Sequence, residues 1–217
     1  MRMSELLFDK MNLWKNYKDV LHDTITLRNE VGSVWAQWEG KGTSLTAKTY
    51  TNENIIKSRE VEIWNEKSCI YNNIIYPKTG SNLPCFGMDL MGFNENRVIV
   101  VFDFQHPVER YLLDVPGLPR AEKEYRFFEM GNHFSNNIFV RYCKMDSVDE
   151  HLEMFQKYLN VYLDMLNATK PTGTDTSVYK DFDEYMTRLD PVSGYLTGKF
   201  GKEKSESLVN DFLFSYK

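Results

Sequence analysis

The sequence predicts an α+β fold, a three-layer helix/sheet/helix sandwich with a central antiparallel β-sheet. Segments with strand character crowd the first two thirds of the chain, hairpin-like turn signals separate them, and the strongest helical periodicities follow. Strands first and helices after, joined by short turns, make neighbouring strands antiparallel and leave the helices to cover the faces of the sheet. At 217 residues the chain suits a single domain, 1–217, because domains usually run to about 100–200 residues. That length can bury a core without staples.

The first element is a helix from Asn12 to His22, where Leu13, Trp14, Tyr17, Val20 and Leu21 fall at helical spacing. Strands follow at Ser33 to Trp38, Ser44 to Tyr50, Ile55 to Trp64 and Ser68 to Tyr76, then at the apolar runs Val98 to Phe104 and Asn137 to Cys143. Glu39-Gly40-Lys41-Gly42, Lys78-Thr79-Gly80-Ser81 and Asn94-Glu95-Asn96 supply the turns. Ser147-x-x-Glu150 reads as a capping box, in which hydroxyl and carboxylate each satisfy an orphan backbone N–H. It opens a helix carrying Leu152, Phe155, Leu159, Tyr162, Leu163 and Leu166, which Lys170-Pro171-Thr172-Gly173 ends. A further helix covers Ser177 to Leu189, burying Val178, Phe182, Tyr185 and Met186, with Pro191 as its stop. The last lies near Ser205 to Phe214.

Composition excludes several functions. A formal net charge of -5 argues against a nucleic-acid partner, because such proteins usually carry a basic balance. No run of about 18 apolar residues is present to span a bilayer, and Met1 to Lys10 has acidic residues and no apolar signal core. The expectation is a cytoplasmic protein without a membrane partner. Cys69, Cys85 and Cys143, odd in number and widely spaced, fit buried free thiols in a reducing compartment. There is no GxGxxG, no Walker loop and no CxxC pair, so nucleotide cofactors lack their usual cradle. Three cysteines cannot supply the four thiolates of an iron–sulfur cluster, and His22, His106, His133 and His151 show no paired metal spacing. No metal ligand is assigned, and a redox reaction on this chain would draw its electrons from outside. Fourteen Phe, thirteen Tyr and four Trp suit either an aromatic-rich core or a broad, flat, conjugated ligand.

Two aspartates stand out. Asp89 lies in Leu83-Pro84-Cys85-Phe86-Gly87-Met88-Asp89-Leu90-Met91, an acid among apolar residues just before the strand at Val98. Desolvation raises a carboxyl pKa, so such a group can hold a proton near neutrality and donate it; the other reading is a turn or capping aspartate at a strand end. Asp190, in Asp190-Pro191-Val192-Ser193-Gly194-Tyr195, follows a helix C-terminus, where negative charge is disfavoured. A polar role in a cleft would explain it, and so would a surface loop. Asp103 and His106 look similar, although the alternation there equally allows them to face solvent.

Several tracts together resemble the ferredoxin-dependent bilin reductases. They are Ile70-Tyr71-Asn72, Tyr76-Pro77-Lys78, Leu83 to Leu90, Val98 to Pro107, Phe128 to Arg141, Leu189 to Tyr195, Lys199-Phe200-Gly201 and Val209 to Phe214. The likeness covers nearly the whole chain beyond the first twenty residues. It is greatest to the phage-type, phycoerythrobilin-forming branch, through Asp89 to Phe93, Phe102 to Pro107 and Met130 to Tyr142. The resemblance implies a helix/sheet/helix sandwich that binds biliverdin IXα between the sheet and the C-terminal helices. It also implies reduction by alternating single electrons from external 2Fe-2S ferredoxin with proton transfers, through bilin radicals, with no bound cofactor. Under it, Asp89 matches the central proton-donating aspartate, and Asp190 the second, associated with the A-ring end. Asn72 stands where the phycocyanobilin-forming branch has histidine, Glu60 stands where that branch has a catalytic glutamate, and Arg141 and Lys199 resemble basic residues that hold the substrate propionates. The implied product is phycoerythrobilin, made by four-electron reduction through 15,16-dihydrobiliverdin. The alternatives are a two-electron enzyme stopping at that intermediate and a non-catalytic bilin carrier. The implied setting is a monomer in the cytoplasm of a cyanobacterium-like cell.

Overall fold

Burial along the strands records which of them are covered on both sides. Strand β3 (Thr43–Thr51) alternates buried and partly exposed residues, the period-two pattern of a half-covered strand. Strands β5 (Cys69–Pro77), β6 (Cys85–Asn94) and β7 (Arg97–Gln105) are buried along most of their length. The computed structural model describes residues 12–27, 29–31, 37–78, 83–123, 125, 132–170, 177–189 and 192–215. Among these, β1 (Asn29–Val31) and β2 (Gln37–Gly40) both pair with β3, and β4 (Ile55–Asn65), β5, β6, β7 and β8 (Phe139–Cys143) follow in order. Every pairing in this eight-stranded sheet is antiparallel. Lys41 and Gly42 turn the β2–β3 hairpin, both at positive φ (48° and 65°), the twist that a two-residue hairpin loop needs.

Helices α1 (Lys15–Ile25) and α2 (Leu152–Ala168) cover one face of the sheet. Tyr17 and Leu21 of α1, with Phe155, Tyr158 and Tyr162 of α2, pack on Phe86, Phe102 and Phe104 in a single core. Phe102 stacks on Phe139 at 4.4 Å and meets Tyr158 edge-on at 4.8 Å, geometries that add about 0.5–1.5 kcal/mol each beyond area burial. Two of the buried hydroxyls bond to backbone carbonyls: Tyr17 donates to Val148 O at 2.8 Å and Tyr162 to Pro84 O at 3.1 Å.

The opposite face carries α3 (Lys180–Leu189), α4 (Val192–Phe200), α5 (Lys202–Leu208) and a π-helical turn, Val209–Leu213. Leu196, Leu208, Phe212 and Leu213 pack there on Leu45, Ala47, Val61 and Ile63. Gly201, at φ 88°, breaks α4 from α5, a conformation that costs glycine little.

The sandwich stands as expected, with local corrections. The first helix runs three residues later, to a left-handed C-cap at Thr26 (φ 57°). Ser147 does not cap α2. It lies inside a 3-10 turn, Met145–His151, and its hydroxyl reaches back to the N–H and carbonyl of Lys144, each at 3.3 Å. Helix α4 replaces an expected loop, and the segment around Asp89 is the full strand β6, which excludes a turn aspartate. Asp103 and His106 are buried, so the solvent-facing alternative fails for both. Residues 32–36 and 79–82, where part of a strand and a turn were expected, lie outside the described residues. The three cysteines are free, Cys69 and Cys85 buried and Cys143 half-buried. No helix among the described residues is long and apolar enough to cross a membrane.

Candidate active site

Antiparallel register sends cross-strand partners to the same face of a sheet. One such row runs Ala47, Val61, Asn72, Asp89, Val101, Val140 across strands β3 to β8. It faces α3 to α5, and at its centre an apolar cavity opens. Val61, Ile63, Ile70, Met91 and Phe93 line it from the sheet, and Val192, Tyr195, Leu213 and Phe214 line it from the helices. Asn72 and Asp89 bring the polar chemistry into these walls. A concave apolar site with few convergent polar groups is the usual form of a small-molecule site.

The polar groups form one chain. Arg59 Nη1 donates to Asn72 Oδ1 at 2.7 Å, and Asn72 Nδ2 donates to Asp89 Oδ1. Burial pushes the Asp89 carboxyl up, while the Asn72 hydrogen bond and the Arg59 charge pull it back. Burial dominates, so this acid holds its proton at a higher pH than an ordinary aspartate. Arg59 is itself only 2% exposed, and its guanidinium lies 5.1 Å from the Phe214 ring centre. On the same face, Tyr76 donates to Asp183 of α3, whose carboxyl burial raises to about 6. Lys57 lies 4.4 Å above the Tyr76 ring and is lowered to about 8, again by burial. The hydroxyl of Tyr195 accepts from Asn65 Nδ2 at 3.1 Å, which anchors the helical wall to the end of β4.

A profile of the ferredoxin-dependent bilin reductases matches residues 12–215. The chain belongs to that family. Two similar proteins, each named 15,16-dihydrobiliverdin:ferredoxin oxidoreductase, come from Gloeobacter violaceus (26% identity, 80% of either chain covered) and Nostoc punctiforme (27%, 69% of either chain). A crystal structure of tomato phytochromobilin synthase in complex with biliverdin superposes with a TM-score of 0.68 at 16% identity, covering 93% of this chain and 82% of that one. At that identity the likeness speaks to fold.

In this bilin reductase the structure brings Asn72 and Asp89 together at the cavity. Asp190 lies outside the described residues. Lys199 does not line the cavity; its ammonium lies 5.8 Å from the ring centre of Tyr195, which does. Glu60 and Arg141 do not reach the cavity, because strand alternation turns them to the other face. Glu60 pairs there with His22 of α1. Arg141 stands opposite Val100, binds Glu122 at 2.9 Å and lies over the Phe139 ring at 4.6 Å. The β4 neighbours on either side of Glu60, Arg59 and Val61, do point to the C-terminal helices. Arg59, Tyr195 and Phe214 were missed as site residues; the tract Ser58-Arg59-Glu60 held the first of them, one position away.

Proposed function

We propose that this bilin reductase converts biliverdin IXα to phycoerythrobilin in two stages, through 15,16-dihydrobiliverdin, as a single-domain monomer. Each stage adds two electrons, one at a time from two reduced ferredoxins, and two protons. Asp89 supplies a proton at the centre of the bilin, and Asp190 serves the A-ring end. The observation that supports this best is Asp89 itself, an acid in an otherwise apolar cavity whose hold on its proton burial strengthens. Each electron makes the bilin more basic, and apolar walls leave Asp89 rather than bulk water as its proton source. Asp190 enters on sequence, two residues before the cavity residue Val192. Lys199 is suited to a propionate at the rim.

The name shared by the relatives favours a second reading, an enzyme that stops at 15,16-dihydrobiliverdin. Mixing the protein with biliverdin and reduced ferredoxin without air separates the readings by the absorption and chromatography of the product. Phycoerythrobilin supports two stages, 15,16-dihydrobiliverdin one, and unchanged biliverdin a carrier. The Asp190→Asn variant is expected to accumulate 15,16-dihydrobiliverdin; an unchanged final product would remove Asp190 from the second stage.

Ferredoxin docking is assigned to the lysines of α5. Lys202 and Lys204 are exposed, with Lys202 3.7 Å from Glu206 and Lys204 5.5 Å from the Trp38 ring centre. Exposed charges steer an acidic partner over a screening length of only about 8 Å at 0.15 M salt. Lys202→Glu with Lys204→Glu should therefore slow turnover at limiting ferredoxin, more at low salt than at high, with biliverdin affinity unchanged. Equal rates and equal salt dependence would move the docking face elsewhere.

A further inference from the structure

A guanidinium has five donors and no acceptor, and that asymmetry has a consequence two residues away. With Arg59 Nη1 at 2.7 Å from Asn72, the amide must present its oxygen to Arg59 and its NH2 to Asp89. Turning the amide by half a revolution would set its NH2 against the guanidinium, donor against donor. We propose that Arg59 is a positioning residue for the reduction: it locks the Asn72 amide so that Asp89 Oδ1 can only accept, which leaves the transferable proton on the Asp89 oxygen turned to the cavity. The inference rests on the reading of Asp89 as a proton donor.

The surroundings fit this role. Among the described residues no second hydrogen bond reaches the Asp89 carboxyl, so its other oxygen is the one available to a bilin. Arg59 is held from several sides. The Phe214 ring of the C-terminal turn packs on it, and the charges of Asp89 on β6 and Asp183 on α3 both interact with it. Lys57 on its own strand repels it, and Tyr76 on β5 lies within the same group of charges. A neutral side chain in place of Arg59 frees the amide to rotate. Asn72 Oδ1 can then accept from a protonated Asp89 Oδ1, and the proton points at β5 instead of at the substrate. Electrons balance as before; only the oxygen that carries the proton changes.

The test is a double-mutant cycle on single-turnover reduction of bound biliverdin, with Arg59→Met, Asn72→Ala and the pair. Arg59→Met is expected to lower the rate by about tenfold or more, part of what a general acid contributes, with biliverdin affinity nearly unchanged. In the Asn72→Ala background the same change should cost little more, the non-additivity of residues acting as one unit. Infrared difference spectra give a second reading: the carboxylic-acid C=O band lost in Asp89→Asn should move to higher frequency in Arg59→Met, where that C=O no longer accepts from Asn72. Additive losses with an unmoved band would overturn the proposal. Should Arg59→Met fail to fold, Arg59→Gln keeps a polar side chain that can accept as well as donate, so it no longer fixes the Asn72 amide, and the same cycle and band decide. Normal turnover by Asp89→Asn would instead refute the donor reading beneath it, whereas an inactive Asp89→Asn beside an additive cycle refutes only the role of Arg59.

Discussion

The Asp89→Asn protein should fold, bind biliverdin and lose about two to four powers of ten in turnover, the range that general acid catalysis contributes. The amide keeps the volume of the carboxyl and can still accept from Asn72 Nδ2, so the sheet and the cavity have no reason to change. What it lacks is a proton that can leave. Burial raises the Asp89 carboxyl, so its protonated fraction, and the rate with it, falls as pH rises through its pKa. The residual rate of the variant should lose that alkaline decline. The measurement is anaerobic turnover with reduced ferredoxin across pH, beside a binding titration followed by bilin absorbance. Wild-type turnover in the variant would end the assignment.

Stability should fall as pH rises from about 5 to 8, and Asp103→Asn should remove most of that slope. Asp103 is 1% exposed, between the N–H of Ser135 at 2.9 Å and the Ser135 hydroxyl, and burial outweighs these bonds to push it up to about 8. In the unfolded chain an aspartate titrates near 4. Between the two values the folded state keeps a proton that the unfolded state has released, so each pH unit in that window costs up to about 1.4 kcal/mol. The benefit is whole below about pH 4 and is lost as pH passes the folded value. Asp183, raised to about 6, adds to the lower part of the window. Lys57, lowered to about 8, acts with the opposite sign above it, because the unfolded chain then holds the extra proton. Urea midpoints of wild type and variant at several pH values decide the matter. A wild-type midpoint that stays level or rises from pH 5 to 8 would show that Asp103 is not buried as described.

The layer order was legible because strand and helix periods differ and the chain does not interleave them. Strand β6 was hidden by its own content: Gly87 and Gly92 interrupt the apolar run, and an acid sits between them. A Cβ at Gly87 would fall 2.5 Å from the side-chain nitrogen of Gln105, so any larger residue would displace that side chain. Helix α4 was hidden by Pro191 and Gly194, residues that usually mark a loop. Asp89 and Asn72 could be found from local sequence and family likeness. Which side of the sheet Glu60 and Arg141 take could not, because pleat phase is fixed by pairing with partners distant in sequence. Arg59, buried and holding Asn72, has no signature of its own in the chain.

The row from Ala47 to Val140 makes the sheet a partition one residue thick. Along β5 and β6, Asn72 and Asp89 line the cavity, whereas their chain neighbours Tyr71 and Leu90 belong to the aromatic core under α2. Each strand thus carries two interleaved messages, read from opposite sides. Selection for a different bilin product can rewrite positions 61, 63, 70, 72, 89 and 91 while the alternate positions keep the molecule folded. A family divided by product and united by fold is what such a wall permits.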